Sequence, residues 1–301
     1  MNLRVRVPAA FASGNRRSIG AMLIAVAAFS LMDAVLKTLS GRYPALQVAA
    51  LRGLTALPLV CAYVLWRREV GELLRVRWQL HLFRGLIGIL MLSLFSFSLR
   101  ELGLAEAYAI FFIAPLLITV LSIPVLGERV APLHWLAIAV GMLGVLIALR
   151  PQGSAFFSLG ALAVLAAAGC YAASAVAGRV LSRTDASVTL VFWTTASMAF
   201  GAGALAVPSW VAIPQVHWPL LLALAVTGFI GQLAITEAFR HGQASAVAPF
   251  EYTALAWGVA LDWSFWRIVP DRYTLIGGAI IIASGLYLLR KEKVRTVTLP
   301  P

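Results

Sequence analysis

Leu104-Ala105-Glu106-Ala107-Tyr108-Ala109-Ile110-Phe111-Phe112-Ile113-Ala114-Pro115-Leu116-Leu117-Ile118-Thr119-Val120-Leu121-Ser122-Ile123-Pro124-Val125-Leu126 holds a single charged residue, Glu106, in 23. At 1.5 Å of rise per residue, about 20 apolar residues cross a hydrocarbon layer of about 30 Å. Nine further stretches have the same character, and together they predict helices over 18–38, 45–65, 80–99, 104–126, 130–149, 158–178, 188–208, 217–239, 245–265 and 273–289. Ten crossings take up about 200 of the 301 residues, leaving about 100 for tails and nine short loops. Composition agrees: 61% of the chain is hydrophobic and 12% charged, against about 45–50% and 25% in soluble domains. Backbone polar groups in hydrocarbon need internal partners, so the spans are helices; a barrel would instead show alternating segments of about ten residues. The class is an all-α, multi-pass membrane protein.

The basic residues orient the chain. With a cytoplasmic N-terminus, 16 of the 24 Lys and Arg fall on the cytoplasmic side, among them Arg16, Arg17, Arg67, Arg68, Arg183 and Arg290. Five fall outside, Arg42, Arg100, Arg150, Arg267 and Arg272, and Lys37, Arg52 and Arg84 lie within spans. This asymmetry satisfies the positive-inside rule with both termini cytoplasmic, as an even helix count requires. The formal charge of +12 is therefore topogenic, and nucleic acid is not expected as a partner. Arg16-Arg17 before an apolar run imitates a signal peptide, but Asp33 and Lys37 interrupt the run and no small-residue cleavage site follows, so it reads as a retained first helix. Cys61 and Cys170 both sit in apolar runs, which argues against a disulfide framework or a cysteine-based zinc site.

The chain repeats itself. A shift of about 140 residues carries Arg100 onto Arg240, Gly103 onto Gly242, and the alternate alanines 105, 107 and 109 onto 244, 246 and 248. The same shift brings Gly144 to Arg150 onto Gly285 to Arg290. Five helices per half is an odd number, so corresponding helices cross in opposite directions. Such inverted repeats recur in secondary transporters, with substrate bound near the midplane at the repeat interface. The expected organisation is an N-terminal tail over 1–17, one five-helix repeat over 18–149, a second over 150–289, and a basic tail over 290–301.

Several segments resemble one family. Ala105-Glu106-Ala107-Tyr108-Ala109 through Pro115 to Leu126-Gly127-Glu128-Arg129, Gly141-Met142-Leu143-Gly144-Val145, and Ala248-Pro249-Phe250-Glu251-Tyr252-Thr253-Ala254-Leu255-Ala256-Trp257 are similar to the fourth, fifth and ninth helices of EamA-type transporters of the drug/metabolite transporter superfamily. The resemblance covers about 18–290 and extends to the ten-helix group that includes exporters of aromatic amino acids of the YddG type. It implies two inverted EamA repeats around a central cavity lined by the first, third, fourth, sixth, eighth and ninth helices. It also implies cargo among amino acids, nucleosides, amines, drugs and other metabolites, with export as the direction. This chain departs from the pattern where relatives close the ninth helix with a second Gly-Glu: Trp266-Arg267 stands there.

The polar exceptions point to chemistry. Asp33, Lys37, Arg52, Arg84, Glu106, Glu237, Glu251 and Asp262 lie in spans, where each charge costs about 2.5–3.5 kcal/mol at a helix centre. Asp33 and Lys37, four apart, are spaced for a helical ion pair, either self-compensating or open to competition from substrate charge. Arg52 is expected in an ion pair or at a ligand, and Arg84 to snorkel toward cytoplasmic phosphates. Glu251 is the foremost candidate for binding: Pro249 loosens the helix beside it, and Phe250, Tyr252, Trp257 and Trp263 supply aromatic surface for an ammonium group. The alternative is an ion pair between Glu251 and a base such as Arg52. Tyr108, Phe111 and Glu237 complete the candidate substrate contacts, although aromatic residues there also pack. Glu237 and Asp262 lie near helix ends, where wet or snorkelling positions are expected. Pro115 and Pro249 form a pair of candidate hinges. Trp66, Trp78, Trp135, Trp210, Trp218 and Trp266 fall near helix ends, where indoles suit the membrane interface.

These features predict a secondary transporter of small zwitterionic or cationic metabolites, most simply amino acids, working by alternating access in the cytoplasmic (inner) membrane of a bacterium. A buried carboxylate could couple protons to transport, while uniport or exchange would read the same. There is no P-loop, no HExxH spacing and no G-x-S-x-G elbow, and the histidines 81, 134, 217 and 241 lie near predicted ends, so neither an enzyme nor a cofactor is expected. The sequence sets no oligomeric state, and a monomer is compatible with it.

Overall fold

A computed structural model describes residues 9–74, 76–126, 132–149, 158–241 and 248–292. Its elements in order are α1 (Ala9–Ser40), α2 (Ala45–Arg67), α3 (Trp78–Ser98), α4 (Leu104–Phe111), α5 (Ala114–Leu126), α6 (Pro132–Leu149), α7 (Leu159–Leu181), α8 (Ser187–Ala196), α9 (Gly203–Ala206), α10 (Trp218–His241), α11 (Ala254–Leu261) and α12 (Arg272–Glu292). Among the described residues there is no strand. Seven helical segments are long and apolar enough to cross a bilayer: Ser18–Ser40, Ala45–Arg67, Trp78–Ser98, Leu104–Leu126, Leu159–Leu181, Ser187–Ser209 and Gln215–Ala238. The protein is therefore a multi-pass, all-helical membrane protein. Gly127, Glu128 and Arg129 and the segments 150–157 and 242–247 lie outside the described residues.

Three spans expected to be continuous are interrupted. Between α4 and α5 the chain leaves the helix at Phe112 and Ile113, just before Pro115, whose missing N–H cannot support the turn above it. The predicted ninth helix is a 3₁₀ turn over Ala248–Thr253, then α11, then a π-helical turn over Asp262–Trp266. Arg267 closes that turn in the left-handed region at φ 56°. A second π-helical turn, Ser197–Ala202, separates α8 from α9. Such turns widen a helix locally and are frequent at functional sites.

Packing pairs the helices across the molecule. α1 lies on α10 and α3 on α7; α2 lies on α8 and on the Ser197–Ala202 turn, α4 on α11, and α6 on α12. Under the shift of about 140 residues, the α1–α10 contact corresponds to α3–α7, and the other three pairs each map onto themselves. Glycines set the closest approaches, in keeping with small residues at helix interfaces in membranes. A Cβ on Gly53 would stand 2.2 Å from the backbone nitrogen of Ala199, and one on Gly278 1.9 Å from Leu255. Gly141 lies close to Ser284, whose Oγ is 3.6 Å from where a Cβ on Gly141 would be.

At the predicted outer end, polar ties bind the loops. Gln47 donates to the carbonyl of Val211 at 2.7 Å and accepts from its N–H at 2.9 Å. Arg100 donates to the Tyr43 carbonyl at 2.6 Å, the Tyr43 hydroxyl meets His217 Nδ1 at 2.5 Å, and Arg42 meets Nε2 of the same ring. At the predicted inner end, buried His81 pairs with Asp185 at 2.8 Å. His81 and His217 thus serve as structural ties between helix ends.

Candidate functional site

The buried charges sort into three groups. The first joins α1, α2 and α4. Tyr108 donates its hydroxyl to Asp33 at 2.7 Å, and the Arg52 guanidinium lies within electrostatic range of the same carboxylate. Arg52 also sits over the Phe29 ring, 5.8 Å from its centroid. Asp33 is seven residues before the end of α1, Arg52 seven after the start of α2, and Tyr108 four after the start of α4. At 1.5 Å per residue these positions are about 6–10 Å below the predicted outer helix ends. Arg52 borders a narrow cleft with Thr194, Thr195, Phe229 and Gln232, where α2, α8 and α10 meet.

The second group closes the predicted outer end above the first. Lys37 pairs with Asp262 at 2.7 Å, and both side chains are nearly inaccessible. The other Asp262 oxygen accepts from the N–H of Ala105 at 2.9 Å, in the first turn of α4. That N–H has no partner within its own helix, and the helix dipole favours an anion there. Lys37 further sits 4.4 Å above the Trp266 ring. Two expectations are corrected here. Lys37 does not pair with Asp33, because Asp262 reaches it from another helix while Tyr108 and Arg52 take up Asp33. Asp262 is neither wet nor snorkelling, at 1% exposure. Trp266, half-buried at the end of its helical turn, also forms the floor under Lys37.

The third group lies deeper toward the predicted inner end. The Tyr171 hydroxyl on α7 has the Glu251 carboxylate and the Arg84 guanidinium within electrostatic range. Phe250, beside Glu251, packs on Met22, Ala25 and Val26, which belong to the first half of the α1 span. The Arg84 guanidinium lies near the predicted inner ends of α7 and α8: it is 3.4 Å from where a Cβ on Gly178 would be, three residues before the end of α7, and Nη1 donates to the Leu190 carbonyl at 3.5 Å, three residues after the start of α8. Glu251 does not pair with Arg52, whose charge partner is Asp33.

An aromatic row joins the first group to the third. Tyr108 stacks on Phe95 at 6.4 Å and 10°, Phe95 meets Phe111 edge-on at 5.6 Å, and Phe111 meets Tyr171 at 5.3 Å. Of the candidate contacts, the structure thus brings Asp33, Arg52 and Tyr108 together, with Phe111 leading to Glu251. Glu237 is half-buried on α10. Trp257 is 40% exposed and Trp263 is 56% exposed. Neither indole belongs to the aromatic row. The side chains of Tyr252 and Pro249 lie outside the described residues; the backbone at Pro249 is in the 3₁₀ turn. Tyr171 and Phe95 escaped the sequence reading. Tyr171 had a signal, the lone aromatic residue in the apolar run of α7; Phe95 had none, being one phenylalanine among several.

The model of the EamA-like transporter family matches the chain twice, over residues 16–150 and 158–290. This chain belongs to that family. It is 31% identical to the pseudopaline exporter CntI of Pseudomonas aeruginosa, over 90% of this chain and 96% of that one. It is 26% identical to a riboflavin transporter of Vibrio cholerae over 90% and 92% of the two chains. The S-adenosylmethionine uptake transporter of Rickettsia conorii is 24% identical over 91% and 93%. A known crystal structure has the same fold, with a TM-score of 0.67 at 21% identity over 92% of this chain and 99% of that one. As a member of the EamA-like family, the protein is a membrane transporter and not an enzyme.

Proposed function

We propose that this transporter exports a small metabolite carrying both an ammonium and a carboxylate, an amino acid or a close derivative, across the inner membrane by alternating access. One observation carries the reading: Asp33 and Arg52, opposite in charge, converge with the Tyr108 hydroxyl from three different helices inside the membrane span. A zwitterion offers a charge to each, and in a site shielded from water such charge-assisted hydrogen bonds are the strong ones. Glu251, Phe111 and Glu237 extend the site toward the cytoplasm, with Pro115 and Pro249 as the hinges. The pairing of α1 with α10 and α3 with α7 supports two inverted five-helix repeats, 18–149 and 150–289, giving ten spans with both termini cytoplasmic. Protons are the proposed coupling ion. Glu251 is their proposed carrier, because among the described residues this half-buried carboxylate has no ion pair. The functional unit is proposed to be a monomer.

The name of the exporter from Pseudomonas aeruginosa supports the direction. The riboflavin and S-adenosylmethionine transporters, together with the aromatic row, favour a second reading in which the cargo is a nucleoside-like or flavin-like ring compound. Purified protein in liposomes, offered labelled amino acids and labelled ring compounds, separates the two. The first reading requires amino-acid flux that Asp33→Asn and Glu251→Gln each reduce at least tenfold. Flux undiminished in both variants removes these carboxylates from the mechanism, and flux confined to ring compounds selects the second reading.

A further inference from the structure

Arg84 is a cation with unmet demand. A guanidinium presents five N–H donors in a planar fork, and among the described residues this one has a single long bond, Nη1 to the Leu190 carbonyl at 3.5 Å. Its Nε is buried and has no partner. No carboxylate among the described residues lies within ion-pair distance of it. Arg84 stands six residues into α3, so its Cα is about 9 Å from the predicted inner helix end. Arg84 and Glu251 are both within electrostatic range of Tyr171, and the aromatic row runs from Tyr171 to Tyr108.

We infer that Arg84 is an oxyanion-binding residue of an inner loading site, where it takes the carboxylate of the cargo before the cargo reaches Asp33 and Arg52. The fork geometry suits bidentate contact with a carboxylate, and Tyr171 and Glu251 present a hydroxyl and a carboxylate to an ammonium on the same molecule. The two charge groups are then two stations at different depths, and the row of aromatic rings between them offers an apolar surface to the cargo's side chain. This inference rests on the amino-acid reading proposed above. A phospholipid headgroup offers the same oxyanion chemistry, so the test has to separate the two sources.

Proteoliposomes of phosphatidylcholine alone, containing the full chain, are tested for binding of three labelled probes: L-phenylalanine, its decarboxylated amine phenethylamine, and its deaminated acid 3-phenylpropanoate. Arg84→Gln is expected to weaken phenylalanine and phenylpropanoate at least tenfold and phenethylamine less than twofold, and Arg84→Lys to recover part of the loss. The unequal response also shows that the variant is folded. Equal weakening of all three probes, or none, overturns the inference. A dependence on Arg84 that emerges only when phosphatidylglycerol is added assigns the residue to lipid and overturns it as well. If wild-type protein binds phenylpropanoate but neither amine-bearing probe, the amino-acid reading falls while the Arg84 comparison still decides the inner site. Wild-type binding of phenethylamine alone, or of none of the probes, overturns the loading site.

Discussion

Asp262 is engaged on both oxygens, by the Lys37 ammonium and by the Ala105 N–H, in a position with 1% exposure. Asp262→Ala would leave a buried ammonium and a helix-start donor without partners. Losing one member of a buried ion pair costs about 3–5 kcal/mol, so the variant should melt well below the wild type in detergent. A thermal shift within a degree or two of wild type would contradict the buried pair. Tyr108→Phe keeps the ring stacked on Phe95 and removes one hydrogen bond to Asp33. It should cost about 1–3 kcal/mol, the range for a buried group deprived of its partner, and raise the substrate concentration for half-maximal flux. An equal loss from Phe95→Leu, which leaves that hydrogen bond intact, would place the effect in packing instead.

Glycine permits several close helix contacts, and this can be tested element against element. Gly53→Ala would push a methyl into the backbone of the Ser197–Ala202 turn, with contacts of 2.2–2.7 Å that no side-chain rotation can relieve. It should destabilise by about 1–3 kcal/mol or more, the range for overpacking. Gly169 on α7 has nothing within 4 Å of a built Cβ, so Gly169→Ala should leave the melting temperature unchanged or slightly raised. Both substitutions remove the same helix-destabilising glycine, so equal effects would refute the packing account. The interrupted α4–α5 and α11 segments show which local signals tertiary contacts decide. Pro115 and Pro249 mark breaks that proline chemistry anticipates, whereas the π-helical turns at Ser197 and Asp262 have no proline and follow from what those segments pack against.

For the molecule as a whole, the charge asymmetry and the proposed ten spans predict that both termini are cytoplasmic. Single cysteines introduced at Asn15 and at Lys293 of a variant lacking Cys61 and Cys170 should both resist a membrane-impermeant thiol reagent in intact cells and react after permeabilisation. Labelling of either terminus in intact cells would break the ten-span topology. The membrane, the helices, the repeat and the family were legible in the sequence, because each rests on something local or additive: apolar length, the sign of loop charge, a shift that superposes residues. Candidate site residues were legible as a set, since any ionisable group in a span is costly wherever it points. Their partners were not. The spacing of Asp33 and Lys37 describes one isolated helix, while Lys37 in fact meets Asp262, 225 positions away, and Asp33 meets Tyr108. Helix period fixes which side chains share a face, but only the packing of the helices against one another decides what each face meets. By itself the sequence determined that charges are buried in a duplicated helical membrane protein. Tertiary structure alone decided that they form a buried Lys37–Asp262 pair, a mixed-charge group on three helices and an arginine, Arg84, with no carboxylate partner among the described residues, because Coulombic and hydrogen-bond partners are chosen by proximity in space.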